Sequence, residues 1–477
     1  MVQIKACHQI VSGRATERVV IFGYGRNAGY GTEDIPIPGF IRPWTGLLDG
    51  RALNGAWPSI FFRCTLLLQL GMFTSEGIMN KETTIALLRA AACEGFSVIE
   101  GLLDRGANLW ACDANGITAL HLVTARGRID LIELLIERGA KVNAVDASGW
   151  TPVFFACAQG HMEALELLIA NSASLEVLDQ HGMTPLHLAA HNGHTDIARF
   201  LTQKGVDLNI AGEEGLLALH CAVRENYLKT VDFLIQAGTP VDSTDDFGWT
   251  PLHIAANCGH LELTVLLLDR GAAVEARATY AAPGTGTVGS HGWSPLHLAC
   301  TGGHEAVARE LVSRKAMMEA KTEDGVTPLH CAAIAGEAEL VDFLVKEGAF
   351  VLARTNNEWT PLLFSAVTGK LEVLRLLLNE GASLLERNAG GQDVLHIAAM
   401  NGHDSLIEYL IEKGAKVDSL DLKRWTPLHW AVEGEHIEAV RLLLTAGASP
   451  EAGDTYGKTA ITLAEEIKNQ ELIDALT

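Results

Sequence analysis

The chain has 477 residues, with 36 lysines and arginines against 58 aspartates and glutamates, a formal charge of -22, 48% hydrophobic and 20% charged residues. This composition describes a soluble, foldable protein, and its negative balance offers no footprint for a phosphate backbone, which excludes nucleic acid as the main ligand and favours basic partners. The nine cysteines, an odd count without a C-x-x-C pair, argue against a disulfide framework or a zinc ribbon and for reduced, mostly buried thiols.

Residues 1–79 come first. Met1 to Arg14 lacks a basic stretch followed by an uninterrupted apolar run, so no secretory signal is expected. Gly23, Gly25, Gly29 and Gly31, then Pro36, Pro38 and Pro43, punctuate the chain too densely for a long helix or a central strand, and low order is expected. Val19 to Phe22 followed by these glycines imitates a strand entering a dinucleotide-binding turn. Such a turn must open a helix whose amides hold pyrophosphate, and here Tyr30, Gly31 and two prolines follow, so no cofactor is expected. The apolar run Ile60 to Phe73 carries Arg63, Thr65 and Gln69 and is too short for a bilayer, which takes ~20 residues. It suits a helix capping what comes next. A cytoplasmic location, with the nucleus as the other choice, is the expectation.

From Asn80 the chain repeats itself with a period of 33. The blocks are 80–112, 113–145, 146–178, 179–211, 212–244, 245–277, 289–321, 322–354, 355–387, 388–420, 421–453 and 454–477, and the step is broken once by an insertion at 278–288. The block from Asp179 to Ala211 shows the mechanics. Gly182 supplies a turn closing a short finger, Thr184 caps the free amides of a helix, and Pro185 sits where that helix lacks amide partners anyway. Leu186, Ala189 and Ala190 form a small apolar face, which Gly193 ends. Ile197, Phe200 and Leu201 stripe a second helix closed by Gly205. Neither helix can bury its stripe alone, so each unit requires neighbours.

Thr-Pro-Leu-His is literal at Thr184 to His187, Thr250 to His253, Thr327 to His330 and Thr426 to His429, with Ser294 opening a fifth copy. At this period the pattern resembles the ankyrin repeat. Departures occur at Ala119, Val153, Ala218, Leu363 and Val394, and Asp393 replaces the capping threonine. The resemblance implies an all-α repeat solenoid, an ankyrin array of helix-turn-helix units with short β-hairpin fingers. It also implies a concave groove, lined by finger tips and first helices, in which protein partners are bound through positions 2, 3, 5, 13 and 14 of each unit.

Apparent chemistry dissolves into the repeat. Of 18 histidines, eight (His121, His187, His220, His253, His297, His330, His396 and His429) hold the ninth position and six (His161, His194, His260, His304, His403 and His436) the sixteenth. His187, His191 and His194 have a spacing that could present zinc ligands, but the repeat accounts for two of them, and no metal is expected. Gly453 to Thr459 resembles a phosphate loop with one residue too few between its glycines and no strand before it. No catalytic constellation emerges, and the chain is expected not to be an enzyme.

The candidate site follows from the fifth position, which holds Trp150, Met183, Trp249, Trp293, Trp359 and Trp425. Five of the nine tryptophans thus share one position, and at ~150 to 250 Å² each they would offer on the order of 1,000 Å² of apolar surface. Phe247 and His291 occupy neighbouring finger tips, with Asp246, Glu213, Glu214, Glu323 and Asp324 supplying negative charge. The expected function is a monomeric, non-catalytic scaffold or adaptor for protein partners with basic and apolar contact residues. A regulatory or targeting subunit of an enzyme such as a phosphatase, or a remnant of a larger enzyme, are the alternatives.

Overall fold

The computed structural model describes residues 78–93, 95–279 and 291–477, and among them 24 α-helices follow one another in twelve pairs. The glycine-rich segment, the expected capping helix at 60–73 and the extra residues of the seventh unit lie outside the described residues. First helices pack on the first helices of adjacent units and second helices on second helices. No helix among the described residues is long and apolar enough to cross a membrane.

The fourth unit folds as its residues dictate. The Thr184 hydroxyl accepts the N–H of His187, Pro185 opens the first helix, Pro185–His191, and its Leu186, Leu188, Ala189 and Ala190 are buried. Small alanines let the neighbouring helices approach closely. The second helix, Thr195–Gln203, buries Ile197, Ala198 and Leu201 on its inward stripe. On the outward side, Arg199 lies over the Phe233 ring of the next unit at 4.5 Å, a tie repeated by Arg309 over Phe343 at 4.1 Å and Arg375 over Tyr409 at 4.8 Å.

The fingers are tight turns more than hairpins, with one isolated antiparallel bridge, Cys112 to Thr118, among the described residues. Each is closed by the first residue donating its N–H to the carbonyl of the fifth, as Asp146 does to Trp150 at 2.9 Å and Asp245 to Trp249 at 3.1 Å. Consecutive tips are laced together as well: Ala147 N–H donates to Asn115 O at 2.7 Å, and Asn356 N–H to Asp324 O at 2.8 Å. These bonds shift one expected boundary. Ala278 N–H donates to Trp293 O at 2.9 Å, Thr279 N–H to Phe247 O at 3.1 Å, and Glu323 N–H to His291 O at 2.9 Å. Ala278 and Thr279 therefore hold the first two positions of the seventh finger and His291 the third, so the extra residues fall at 280–290 and not at 278–288. The first unit also differs from expectation, because helix Ile78–Cys93 runs through the block start at Asn80.

Two sets of histidines bind the units to one another in opposite directions. At the ninth position, Nδ1 accepts the N–H of the capping residue, from Thr184 to His187 at 3.0 Å and from Thr250 to His253 at 3.1 Å. Nε2 then carries the proton and donates forward to a carbonyl of the next unit: His187 to Leu216 at 2.9 Å, His253 to Trp293 at 3.0 Å, His330 to Trp359 at 3.1 Å. At the sixteenth position the bond runs backward to the end of the preceding first helix, from His194 to Ala158 O at 3.1 Å and from His403 to Val367 O at 2.8 Å. That ring fills the space over a glycine. Gly160 has φ of 78°, and a Cβ there would stand 2.7 Å from His194 Cε1.

Burial lowers His121, His220, His253 and His330 to about 4 and His297 to about 3, against partial compensation from their backbone carbonyl partners, and so holds these five rings neutral. With the folded value below the unfolded 6.5, the unfolded chain takes up protons first as pH falls. Stability from these rings is complete above about pH 6.5 and is lost progressively down to about pH 4, at up to about 1.4 kcal/mol per histidine per pH unit. The midpoint of urea unfolding is expected to fall steadily between pH 7 and pH 5. A constant midpoint over that range would contradict the neutral, buried state of the rings.

Candidate interaction face

Placing the fifth-position residues corrects the largest expectation. Trp150, Trp249, Trp293 and Trp359 are 3% to 8% exposed, and Met183 is buried with them. The apolar surface these side chains were expected to offer is spent inside the stack. Trp150 lies against Phe154 and Phe155, with ring centroids at 5.8 and 5.5 Å, in a cluster that includes Ile117, Met183 and Leu188. Trp249, Trp293 and Trp425 sit against His253, His297 and His429 of their own units at 6.3, 5.6 and 5.8 Å.

The reason is the finger's own hydrogen bonding. The first-position aspartate curls its Oδ1 back to accept the amides of the third and fifth residues, as Asp146 does from Ser148 at 2.9 Å and Trp150 at 2.8 Å. This turns the fifth side chain inward, under the next finger. There the Trp150 indole donates to Asp179 Oδ2 at 3.0 Å, and the Trp425 indole to Asp454 Oδ2 at 3.3 Å. Trp150 and Trp425 are thereby connectors between units, while the Trp359 indole is buried without a hydrogen-bond partner.

Trp425 alone of the five is half-buried. Its ring meets that of Trp430 at 4.8 Å, and the Trp430 indole donates to Asp421 Oδ2 at 3.1 Å. On the same and the next finger, Leu422 is 73% and Tyr456 87% exposed. Trp430, Leu422 and Tyr456 hold positions 10, 2 and 3, so attention to the fifth position alone passed over them. Tip positions were the available signal.

The acidic candidates do lie at finger tips. Glu213, Asp246, Glu323 and Asp324 are exposed, while Glu214, Phe247 and His291 are half-buried. Glu213 Oε2 is 2.8 Å from His181 Nδ1, and Glu323 Oε2 is 3.9 Å from His291 Nε2. Asp246 N–H donates to Glu214 O at 3.0 Å, joining the fifth and sixth tips. On the adjoining ends of the first helices, His191 Nδ1 and Arg224 Nε each lie 3.6 Å from Glu225 Oε1.

The three histidines with ligand-like spacing do not converge: His187 donates to Leu216 O, His194 to Ala158 O, and His191 faces Glu225. Of the described thiols, Cys157, Cys221, Cys300 and Cys331 are held in the core, while Cys93 and Cys112 are exposed. Burial pushes Cys331 up to about 12 and raises Cys157 and Cys300 further.

Replacing Trp150 by phenylalanine keeps the ring but leaves Asp179 Oδ2 without its donor. A loss of about 1–3 kcal/mol is expected in urea unfolding, with partner affinity unchanged while the protein is folded. Weaker partner binding at undiminished stability would return the indole to the binding surface.

The family model described as ankyrin repeats (3 copies) matches the chain in overlapping segments: 87–179, 120–212, 163–245, 219–322, 280–355, 314–388, 350–421 and 395–477. No curated protein matches it.

Proposed function

From the premise that this chain belongs to the ankyrin-repeat family, whose arrays are general protein-protein interaction modules, we propose that it is a non-catalytic scaffold or adaptor that binds protein partners along its finger tips and first-helix ends. The observation carrying this reading is the pair of large, exposed apolar side chains, Leu422 and Tyr456, beside the half-buried Trp425 and Trp430. Water-exposed apolar surface next to rigid, hydrogen-bonded indoles is the composition of an interface centre. The acidic tips of the fifth, sixth and eighth fingers supply the complementary charge for a partner with basic and apolar contact residues. All seven described cysteines are free thiols, which suits a reducing compartment.

Because Leu422 and Tyr456 are surface residues of turns, changing both to serine is expected to leave stability within about 0.5 kcal/mol. Affinity for partners recovered with the full chain is expected to drop by at least about tenfold, or about 1.4 kcal/mol. Partners retained with full affinity by a folded double variant would overturn this placement of the interface.

A further inference from the structure

This inference rests on the reading of the array as a partner-binding surface and assigns one contact within it. Asp245 opens the sixth finger and is 5% exposed. Its Oδ1 accepts the amides of Phe247 and Trp249 at 2.9 and 2.8 Å, the usual duty of a finger's first residue. Its Oδ2 is buried without a hydrogen-bond partner. In other units that second oxygen receives an indole: Asp179 takes Trp150, Asp454 takes Trp425, and Asp421 takes Trp430. The fifth residue of the unit preceding Asp245 is Leu216, which has no proton to give. A buried acceptor is thus left for a donor from outside the chain.

Its surroundings are negative. The Asp246 carboxylate lies against the bare backbone of the fifth finger, where a Cβ on Gly215 would stand 2.5 Å from Asp246 Oδ1. Glu214 sits half-buried in the same finger, at φ of 57°. Burial raises the Asp245 carboxyl to about 6; the amides of Trp249 and Phe247 pull it down, and the charges of Glu214 and Asp246 add to the rise. Glu214 is raised as well, by burial and then by Glu213, with Asp246 adding and Arg224 opposing. Three carboxylates thus gather on two joined tips, with Arg224 offsetting the charge of Glu214 in part. Among the described residues, no group of three His, Cys, Asp or Glu side chains is arranged to hold a metal ion, which favours an organic cation.

We propose that the junction of the fifth and sixth finger tips, formed by Asp245, Glu214 and Asp246, receives an arginine side chain of a partner protein. A guanidinium presents donors in a fixed fork, so it reaches Asp245 Oδ2 and a second carboxylate together, and its planar face packs on Phe247 at the same tip. Lysine brings only a point charge. Citrulline keeps the shape of arginine and loses its charge.

The test uses the full chain and a fluorescein-labelled, 12-residue peptide with two arginines among alanine, leucine and serine, alongside the lysine and citrulline versions. By fluorescence anisotropy, the arginine peptide is expected to bind at least tenfold more tightly than the citrulline peptide, with lysine between them. Asp245→Asn retains the Oδ1 acceptor that closes the finger, so it is expected to fold with an unchanged or raised thermal midpoint and to discriminate less than threefold. Glu163→Gln, which removes the same charge from an exposed site on a distant second helix, is expected to keep the full discrimination. Equal binding of the arginine and citrulline peptides, or the same loss in both variants, would overturn the proposal. If discrimination is absent while the Leu422 and Tyr456 double variant still loses its partners, the arginine site falls and the adaptor reading stands.

Discussion

One hydrogen bond organises the array: the ninth-position histidine, its Nδ1 held by its own cap, gives its Nε2 proton to the next unit. The ring can do this only while neutral and dry. Since Nδ1 is already accepting an amide, a second proton would break the cap as well as charge the core. The sixteenth-position histidines return the favour in the other direction, satisfying a helix-end carbonyl that would otherwise be buried without a donor. Units that carry these rings are therefore tied to their neighbours through them, and the twelve pairs of short helices, none longer than 16 residues, need packing against neighbouring units to exist at all.

The same logic decides which side chains are left for partners. The closed finger turns its fifth residue inward, with Asp146 and Asp245 holding the amides of Trp150 and Trp249, Thr355 that of Trp359, and the Ala278 amide bonded to Trp293 O, and all four indoles become structural. Where the pattern lapses, groups become available. The fifth unit lapses most: Gly212 replaces the aspartate, Leu217 the capping threonine and Ala218 the proline. Its finger is a short 3-10 turn, Glu213–Gly215, with Glu214 in the left-handed region. The amide bond that laces other tips gives way here to the side-chain contact of His181 with Glu213. Leu216, in the same finger, is what leaves Asp245 without an indole. Local rules are broken where a functional gain would have to explain it.

Much of the fold was legible in the residues because the period and the Thr-Pro-Leu-His tetrad specify helix starts, stops and faces one unit at a time. The seventh finger shows where that reading runs out. Counting from Gly289 keeps the period but misplaces the insertion, since only the bonds of Ala278 and Thr279 reveal that the loop interrupts a finger. The tryptophans show a different limit. The period marks position 5 as special, but whether an indole faces water depends on how the neighbouring finger packs over it: Trp249, Trp293 and Trp359 are buried with no aspartate opening the next unit, and Trp425, bonded to Asp454, is half-buried. Exposure at Leu422 and Tyr456 had a simple signal in their tip positions, masked by the more conspicuous tryptophan series.

The most direct test of coupling between units is hydrogen exchange of the full chain with His253→Phe, which removes both ring nitrogens while keeping an aromatic in the core. If the forward bond to Trp293, 40 residues onward, joins the units, protection is expected to fall both in the helix Pro251–Cys258 and in the next first helix, Pro295–Thr301. Loss confined to the sixth unit, with Pro295–Thr301 protected as before, would contradict the histidine relay as the tie that makes the array one structure.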